Sequence, residues 1–284
     1  MTVLEAIQRS AEFLARKGVD SPRLQAELLL AHQLQLPRMK LYLNFERVLT
    51  PADADALRAH VVRRGQREPL QHLVGSVSFC GLELGVNRHV LVPRPETELL
   101  AEAAWQWLGS RGAEAGALDL GTGSGCLAIS LAKHCPEARI VATDMSPEAL
   151  ATAQENAQRH AVRERIEFRP GDGFQAVAAG ASFDLLVSNP PYIPSAEIET
   201  LEPEVRDHDP RLALDGGADG LSFYRRIAAE GGAWLKPEGR LMLEFGDGQA
   251  EAVSALLGQH GWAVESVRED YNHRPRFLVA KREG

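Results

Sequence analysis

One stretch restricts what this chain can fold into more than any other. It runs Gly116-Ala117-Leu118-Asp119-Leu120-Gly121-Thr122-Gly123-Ser124-Gly125 and continues as the apolar run from Cys126 to Ala132. It reads as strand, glycine turn and helix, with the helix opening at Ser124. Glycines at positions 121, 123 and 125 remove every Cβ from one side of the turn. The backbone there is free to adopt positive φ and to approach a ligand closely. The helix that follows aims N–H groups without intrahelical partners into the same space. A dinucleotide fingerprint wants its third glycine at position 126, where Cys126 stands, so NAD is the weaker reading.

A second acid reinforces the pattern. Arg139-Ile140-Val141-Ala142-Thr143-Asp144 is an apolar strand that ends in a carboxylate, about 20 residues past the glycines, where a ribose-binding acid belongs. The plain alternative is a glycine turn in any βαβ unit, with Asp144 as the N-cap of the helix before Pro147. The run Asp119-x-Gly121-x-Gly123-x-Gly125 resembles the first motif of class I S-adenosylmethionine-dependent methyltransferases.

Composition narrows the setting. The chain has 284 residues, enough for about two domains, and its 44% hydrophobic and 25% charged content is ordinary for a globular protein. Its net charge of −8 is uneven: residues 1–72 hold 11 Lys+Arg against 8 Asp+Glu, and the remainder holds 20 against 31. Neither part carries the dense basic patch of a general nucleic-acid binder. Cys80, Cys126 and Cys135 have neither paired metal-ligand spacing nor an even count, which fits a reduced compartment. The charged N-terminus offers no signal-peptide core, and no apolar run is long enough to span a bilayer. A soluble, cytoplasmic protein is expected.

Thr2-x-x-Glu5 is a capping box, and Val3, Leu4, Ile7, Phe13 and Leu14 share a face of the helix it opens. Ser21-Pro22 caps a second helix that buries Leu24, Leu28, Leu29 and Leu30. Pro37 starts a short helical piece, and Thr50-Pro51 caps a helix ending near Gly65. Residues 1–72 thus form a helical bundle, either a stabilising cap or a docking domain for a macromolecular substrate. From 73 to 92 alternating apolar residues broken by Gly75, Gly81 and Gly85 predict a β-hairpin linker.

Residues 93–284 alternate strand and helix patterns. Strands are expected at 116–120, 139–144, 165–169, 183–188, 240–245, 263–268 and 276–281. Helices are expected after Glu98 through Trp107, and near 124–134, 146–160, 172–179, 219–235 and 248–260. Such alternation implies an α/β fold with a doubly wound, mostly parallel, Rossmann-like sheet. The last two strands lack a helix-length spacer and should pair antiparallel.

Phe183 to Ser188 is a buried-type strand ending in Asn189-Pro190-Pro191-Tyr192. Ligands of open α/β sheets sit outside the carboxyl ends of strands, which places this tetrapeptide beside the glycine turn. Consecutive prolines hold a rigid backbone whose carbonyls have no local donors. The Asn189 side-chain oxygen and the Pro190 carbonyl can each accept one hydrogen of a planar NH₂, and Tyr192 can cover its flat face. Such a nitrogen is a poor nucleophile because its lone pair is delocalised. Holding both hydrogens returns electron density to it and orients it for in-line methyl transfer, with no covalent intermediate.

The glycine motif, Asn189-Pro190-Pro191-Tyr192, Pro93-Arg94-Pro95-Glu96-Thr97-Glu98 and Asp209-Pro210-x-x-Ala213-Leu214-x-Gly216-Gly217-x-Asp219-Gly220-Leu221 together resemble the PrmC/HemK family. The resemblance covers essentially the whole chain. It implies a seven-stranded class I methyltransferase sheet and a protein-(glutamine-N5) methyltransferase. Its substrate would be the Gly-Gly-Gln glutamine of class 1 peptide chain release factors, and its cofactor S-adenosylmethionine. By position, Gly121, Thr122, Gly123, Ser124, Gly125 and Asp144 would hold the cofactor. Asp172, Gly173 and Phe174 would contact its adenine, with Phe174 standing in for an aromatic side chain that relatives can carry at the position of Gly173. Asn189, which would also touch the cofactor, Pro190, Pro191 and Tyr192 would hold the glutamine, with Asn189, Pro190 and Tyr192 as the catalytic group. No metal is implied, and the chain is expected to act as a monomer away from membranes and nucleic acid.

Three rivals share parts of this signature. A nucleic-acid amino methyltransferase also presents Asn-Pro-Pro-Tyr to a planar NH₂, but it must extract a base and bind phosphates, for which the acidic catalytic portion is ill suited. A sister enzyme that methylates a glutamine of a large-subunit ribosomal protein differs around 93–98. A non-catalytic cofactor-binding module is disfavoured by the intact tetrapeptide. Glu244 closes an apolar strand near the same sheet edge, where either a structural or a substrate-facing role is open.

Overall fold

The computed structural model describes residues 1–283. The chain divides into two compact units, one of Met1–Ser76 with Glu202–His208, the other of Val77–Leu201 with the chain from Asp209 onward. Among the described residues no helix is long and apolar enough to cross a membrane.

The first unit is helical. Helix α1 (Val3–Arg16) opens on the expected capping box, Thr2 Oγ1 accepting from the Glu5 N–H while Glu5 Oε2 accepts from the Thr2 N–H. It buries Val3, Ala6, Ile7 and Leu14. Helix α2 (Pro22–Gln33) begins where Pro22 fixes φ, but Ser21 sits in the left-handed region at φ 46° and its hydroxyl caps nothing. The buried face of α2 is also rotated from the expected one, taking in Ala26, Glu27 and Leu29 to Ala31 while Leu24 is exposed. Glu27 is tolerated inside because Arg23, Arg38 and the Tyr42 hydroxyl all donate to it. Helices α3 (Arg38–Leu41), α4 (Pro51–Gly65) and α5 (Leu70–Val74) complete the bundle, with Thr50 capping α4 at the Asp53 N–H.

Strands β1 (Ser76–Phe79) and β2 (Leu82–Gly85) form the hairpin. Next come α6 (Pro95–Gly109), β3 (Gly116–Leu120), α7 (Cys126–His134), β4 (Arg139–Asp144), α8 (Pro147–Arg159), β5 (Ile166–Pro170) and β6 (Phe183–Ser188). Short α9 (Pro203–Arg206) lies in the segment that belongs to the helical unit. The chain returns through α10 (Arg211–Leu214), α11 (Ser222–Glu230), β7 (Leu235–Glu244), α12 (Ala250–Gln259), β8 (Trp262–Glu269) and β9 (Pro275–Arg282).

Seven strands make one sheet in the order β5-β4-β3-β6-β7-β9-β8. The first five in that order run parallel, and β9 pairs antiparallel with both β7 and β8. Strand order reverses between β3 and β6, both of which are buried along their whole length. Alternate residues serve opposite faces. Ala117, Leu185, Val187 and Met242 pack against α6 and α7, whereas Leu118, Leu186, Leu241 and Leu243 pack against α11 and α12.

Three expected elements differ. Helix α7 starts at Cys126 rather than Ser124, because Gly123 and Gly125 hold φ of 56° and 84°, outside the helical region. The helix expected over 172–179 is a single 3₁₀ turn, Gly173–Ala176, since Gly171 and Gly173 have positive φ and Val177 is extended. The helix expected over 219–235 is α11 followed by a 3₁₀ turn from Gly231, its start delayed by the turn at Gly220.

Candidate active site

The carboxyl ends of β3, β4 and β6 surround a cavity of about 400 Å³, within the range of small-molecule sites at a topological switch point. Gly121 to Ser124, Asp144, Asp172 to Phe174 and Asn189 to Pro191 line it. Gly125 and Tyr192, also expected at the site, are absent from the lining.

The glycine loop is held from below. The Gly121 and Thr122 N–H groups both donate to the Thr143 carbonyl at 2.9 Å, tying the loop to the end of β4. Asp119, fully buried, accepts from the Thr122 hydroxyl at 2.7 Å and from the Ala128 N–H in the first turn of α7 at 3.1 Å. Burial pushes its carboxyl up to about 7 in spite of those two bonds. The expectation that this helix aims its free N–H groups at a ligand needs one correction, since Asp119 takes that of Ala128. The Gly123 N–H in the loop before it goes to Asp144.

Asp144 is the end of β4, and both its oxygens are engaged. Oδ2 accepts from the Gly123 N–H and Oδ1 from the Ser146 N–H, each at 2.9 Å. Burial raises its pKa against these bonds. The helix cap itself is Ser146, whose hydroxyl accepts from the Ala149 N–H. Each Asp144 oxygen keeps further acceptor capacity toward the cavity. Gly121 and Gly123 have positive φ and open space where a Cβ would stand, so the loop forms a cradle that side chains would fill. That cradle, with the carboxylate beside it, fits the ribose and amino-acid portions of S-adenosylmethionine.

Asp172 and Gly173 follow β5. Arg226 of α11 pairs with the Asp172 carboxylate at 2.5 Å and with its carbonyl at 2.7 Å, and the guanidinium stands over Gly173. Phe174 is buried and stacks on Trp234 in the core. The group standing over Gly173 is thus the Arg226 guanidinium, with the Phe174 ring turned inward.

The Asn189-Pro190-Pro191-Tyr192 loop is held by side chains from elsewhere in the chain. Asn189 Nδ2 donates to Thr97 Oγ1 at 3.2 Å. Gln249 Nε2 donates to the Tyr192 carbonyl at 2.9 Å while its own oxygen accepts from the Gly246 N–H. Tyr192 packs against the core beneath the loop, and burial pushes its hydroxyl up to about 12. A Cβ on Gly220 would lie 2.3 Å from the Tyr192 carbonyl oxygen, so no other residue fits there without displacing the loop. Arg94 reaches the nearly buried Asp209 at 2.7 Å, and Glu98 accepts from the Cys80 N–H of the hairpin at 2.8 Å. Burial pushes Asp209 up to about 6 although Arg94 opposes it.

Residues 5–75 match the family model described as PrmC N-terminal domain, and residues 97–203 match that described as Methyltransferase small domain. A release factor glutamine methyltransferase of Geobacter sulfurreducens is 44% identical, over 98% of this chain and 95% of its own. That of Chlorobaculum tepidum is 45% identical, over 98% and 96%. That of Moorella thermoacetica is 42% identical over the full length of both. The chain belongs to the release factor glutamine methyltransferase family. A solved methyltransferase from Pyrococcus furiosus, 17% identical with a TM-score of 0.52 over 80% of this chain and 98% of its own, shares the fold.

Within this family member, the residues that sequence reasoning missed are the ones that act at a distance. Asp119 was legible only as part of the glycine motif, not as the anchor beneath it. Thr97, Gln249 and Arg226 lie far along the chain from the loops they hold. Glu244 gave a visible signal, a lone acid ending the apolar run Leu241-Met242-Leu243, without indicating its partner.

Proposed function

We propose that this protein transfers a methyl group from S-adenosylmethionine to the side-chain amide nitrogen, N5, of the glutamine in the Gly-Gly-Gln motif of class 1 peptide chain release factors. The observation that carries the reading is the Asn189 side chain, tied to Thr97 through its NH₂ at the mouth of a glycine-lined cavity. That tie leaves Oδ1 as an acceptor, and the Pro190 carbonyl, in a loop whose prolines lack N–H groups, is a second. Two acceptors suit the two hydrogens of a carboxamide NH₂.

Asp144 and the glycine cradle would bind and orient the cofactor, which would supply an electrophilic methyl on a sulfonium. Asn189 Oδ1 and the Pro190 carbonyl hold the amide so that its nitrogen faces that methyl. Pro191 keeps the loop rigid, and Tyr192 supports it from the core side. The nitrogen would form its bond to the methyl carbon as the carbon–sulfur bond breaks, S-adenosylhomocysteine would leave as a neutral thioether, and the nitrogen would release one proton to solvent. Positioning of this kind can lower a barrier by roughly 7–11 kcal/mol.

The test is labelled methyl transfer to a purified release factor, with mass spectrometry locating the added methyl. One methyl on the Gly-Gly-Gln glutamine is expected, and none when that glutamine is changed to glutamate, since a carboxylate has no hydrogens to donate. Label on a ribosomal protein alone would move the chain to the sister activity. Label on DNA or RNA alone would reject the reading.

The helical unit is assigned to docking of the protein substrate. Met39, Leu43 and Val48 are exposed there beside the exposed Lys40 and Arg47, and Leu43 is 77% accessible. Leu43→Glu should raise KM for intact release factor and leave transfer to a short Gly-Gly-Gln peptide unchanged. Equal effects on both substrates would return the unit to a purely stabilising role.

A further inference from the structure

An asparagine carboxamide can sit either way round, and only one way serves the proposed chemistry. Oδ1 must face the substrate NH₂, because an Asn189 turned by half a revolution would point its own NH₂ at another NH₂. The Thr97 hydroxyl, 3.2 Å from Asn189 Nδ2, cannot choose between the two alone. A hydroxyl both donates and accepts, so it could equally donate to Oδ1.

The next group along can choose. Glu244, the last residue of β7, is 2% exposed, and its carboxylate lies beside Thr97 and Asn189. An ionised carboxylate only accepts. A Thr97 hydroxyl that turns its hydrogen to this carboxylate keeps only lone pairs for Asn189, which then has to present its NH₂ inward. We propose that Glu244, acting through Thr97, is the positioning residue that fixes the Asn189 carboxamide with Oδ1 toward the methyl acceptor. This rests on the proposed amide chemistry for its purpose, but the arrangement itself is a property of the resting protein.

Stability alone gives a poor account of Glu244. Its Oε2 is buried with no hydrogen-bond partner, and the preceding strand residues are apolar, so a hydrophobic side chain would end β7 at lower cost. Around it stand Glu96 of α6, Cys126 of α7, Tyr192, Tyr224 of α11 and Arg276 of β9. Arg276 favours the ionised form and Glu96 opposes it. Burial dominates and pushes the carboxyl up to about 7. Protonated Glu244 could donate to Thr97 and release the hydroxyl to donate to Oδ1, so the relay loses its direction in acid.

The experiment compares the full-length wild type with Glu244→Gln, Thr97→Val and Thr97→Ser. With release factor as acceptor, Glu244→Gln and Thr97→Val should lower kcat at least tenfold with cofactor Kd within twofold, and Thr97→Ser should return kcat to within threefold of wild type. Wild-type kcat should fall as pH drops through about 7, a limb absent from Glu244→Gln. A second readout needs no acceptor. By ¹⁵N NMR, the Asn189 side-chain NH₂ hydrogens should exchange with solvent at least tenfold faster in Thr97→Val and Glu244→Gln than in wild type. Unchanged exchange in both variants would overturn the inference whatever the substrate proves to be. Wild-type kcat in Thr97→Val would overturn it while leaving the proposed function standing. An inactive wild type with the expected exchange pattern would count against the function alone.

Discussion

The two loops that face the cavity leave adjacent parallel strands, β3 and β6, paired at Ala117 with Leu185 and at Asp119 with Val187. They are nevertheless secured in different ways. The glycine loop has its own N–H groups, and these reach a carbonyl of the neighbouring strand and the carboxylate that ends it. Its buried anchor, Asp119, lies three residues from Thr122 and nine from Ala128. The proline loop lacks the N–H groups of Pro190 and Pro191, and side chains hold it, coming from 92 residues away at Thr97 and 57 away at Gln249. A loop with donors can be fixed locally, whereas a loop whose prolines have none to offer has to be fixed by the rest of the fold. One motif is contiguous in sequence for this reason, while the other is spread over residues 93–98, 189–192, 209–221 and 244–249.

If the two loops divide labour as their construction suggests, variants should separate chemistry from cofactor binding. The largest effect is expected at Asn189. Asn189→Ala removes one acceptor from the reacting nitrogen and should lower kcat by at least about 10²-fold, as for loss of one preorganised transition-state hydrogen bond. Calorimetric cofactor affinity should stay within twofold. Equal losses in both would erase the distinction.

Asp144→Ala tests the other side. Loss of charge-assisted hydrogen bonds worth roughly 1.5–3 kcal/mol each should weaken cofactor binding at least tenfold, with a smaller change in kcat at saturating cofactor. Retained affinity would mean that the carboxylate serves only Gly123 and Ser146.

Arg94→Met asks whether turnover depends on anchoring the segment from Asp209, whose Gly220 packs on the Tyr192 carbonyl. Turnover should fall on the order of fivefold, about 1 kcal/mol, with cofactor affinity unchanged. Asp209, already raised to about 6, would lose its cation and rise further. A raised acid contributes stability that is complete below its unfolded pKa and is lost as pH climbs through the folded one. The melting deficit of the variant should therefore widen from pH 5 to pH 8. A deficit independent of pH would show that Arg94 matters only for packing.

The smallest effect on turnover is expected at Asp119, whose carboxyl burial pushes up to about 7 and which shows instead in stability. By the same sign, wild type loses this contribution as pH rises through 7 and Asp119→Asn does not. The Tm of the variant relative to wild type should thus climb between pH 5 and pH 9, by about 2–4 °C for each kcal/mol. A flat difference would mean that Asp119 stays ionised throughout.

Much of the architecture was readable because periodicity and turn chemistry agreed. Phe183 to Ser188 reads as a buried strand and is one, and Thr50-Pro51 marks a helix start that the Asp53 N–H completes. The failures have physical causes. Gly171 and Gly173 sit inside a stretch of helix-like composition, yet their positive φ stops any helix after one turn. Ser21 looks like a cap, but its left-handed backbone carries the hydroxyl away from the amides it would serve. Phe174 lines the cavity as its position suggests, but sequence does not reveal that Trp234 gives its ring a stacking partner on the core side. At the site, Asn189 and Asp144 were visible as residues, but the sources of their hydrogen bonds were not. Partners separated by 92 residues leave no periodic trace in the chain.

The segment 202–208 has a consequence for how the protein is made. Arg64 is buried in the helical unit and donates to Glu204 at 2.6 Å, and Arg67 donates to Glu204 and Glu202. Arg64 precedes Glu204 by 140 residues. At a synthesis rate of about 5–20 residues per second the first helices wait roughly 7–28 s on the ribosome for their counter-charges to be translated. During that interval the Arg64 guanidinium can lean only on Gln25 and the Glu68 carbonyl. The amino-terminal unit is thus first to emerge yet unable to finish alone, and the order of synthesis favours its completion together with the strands that flank the late segment.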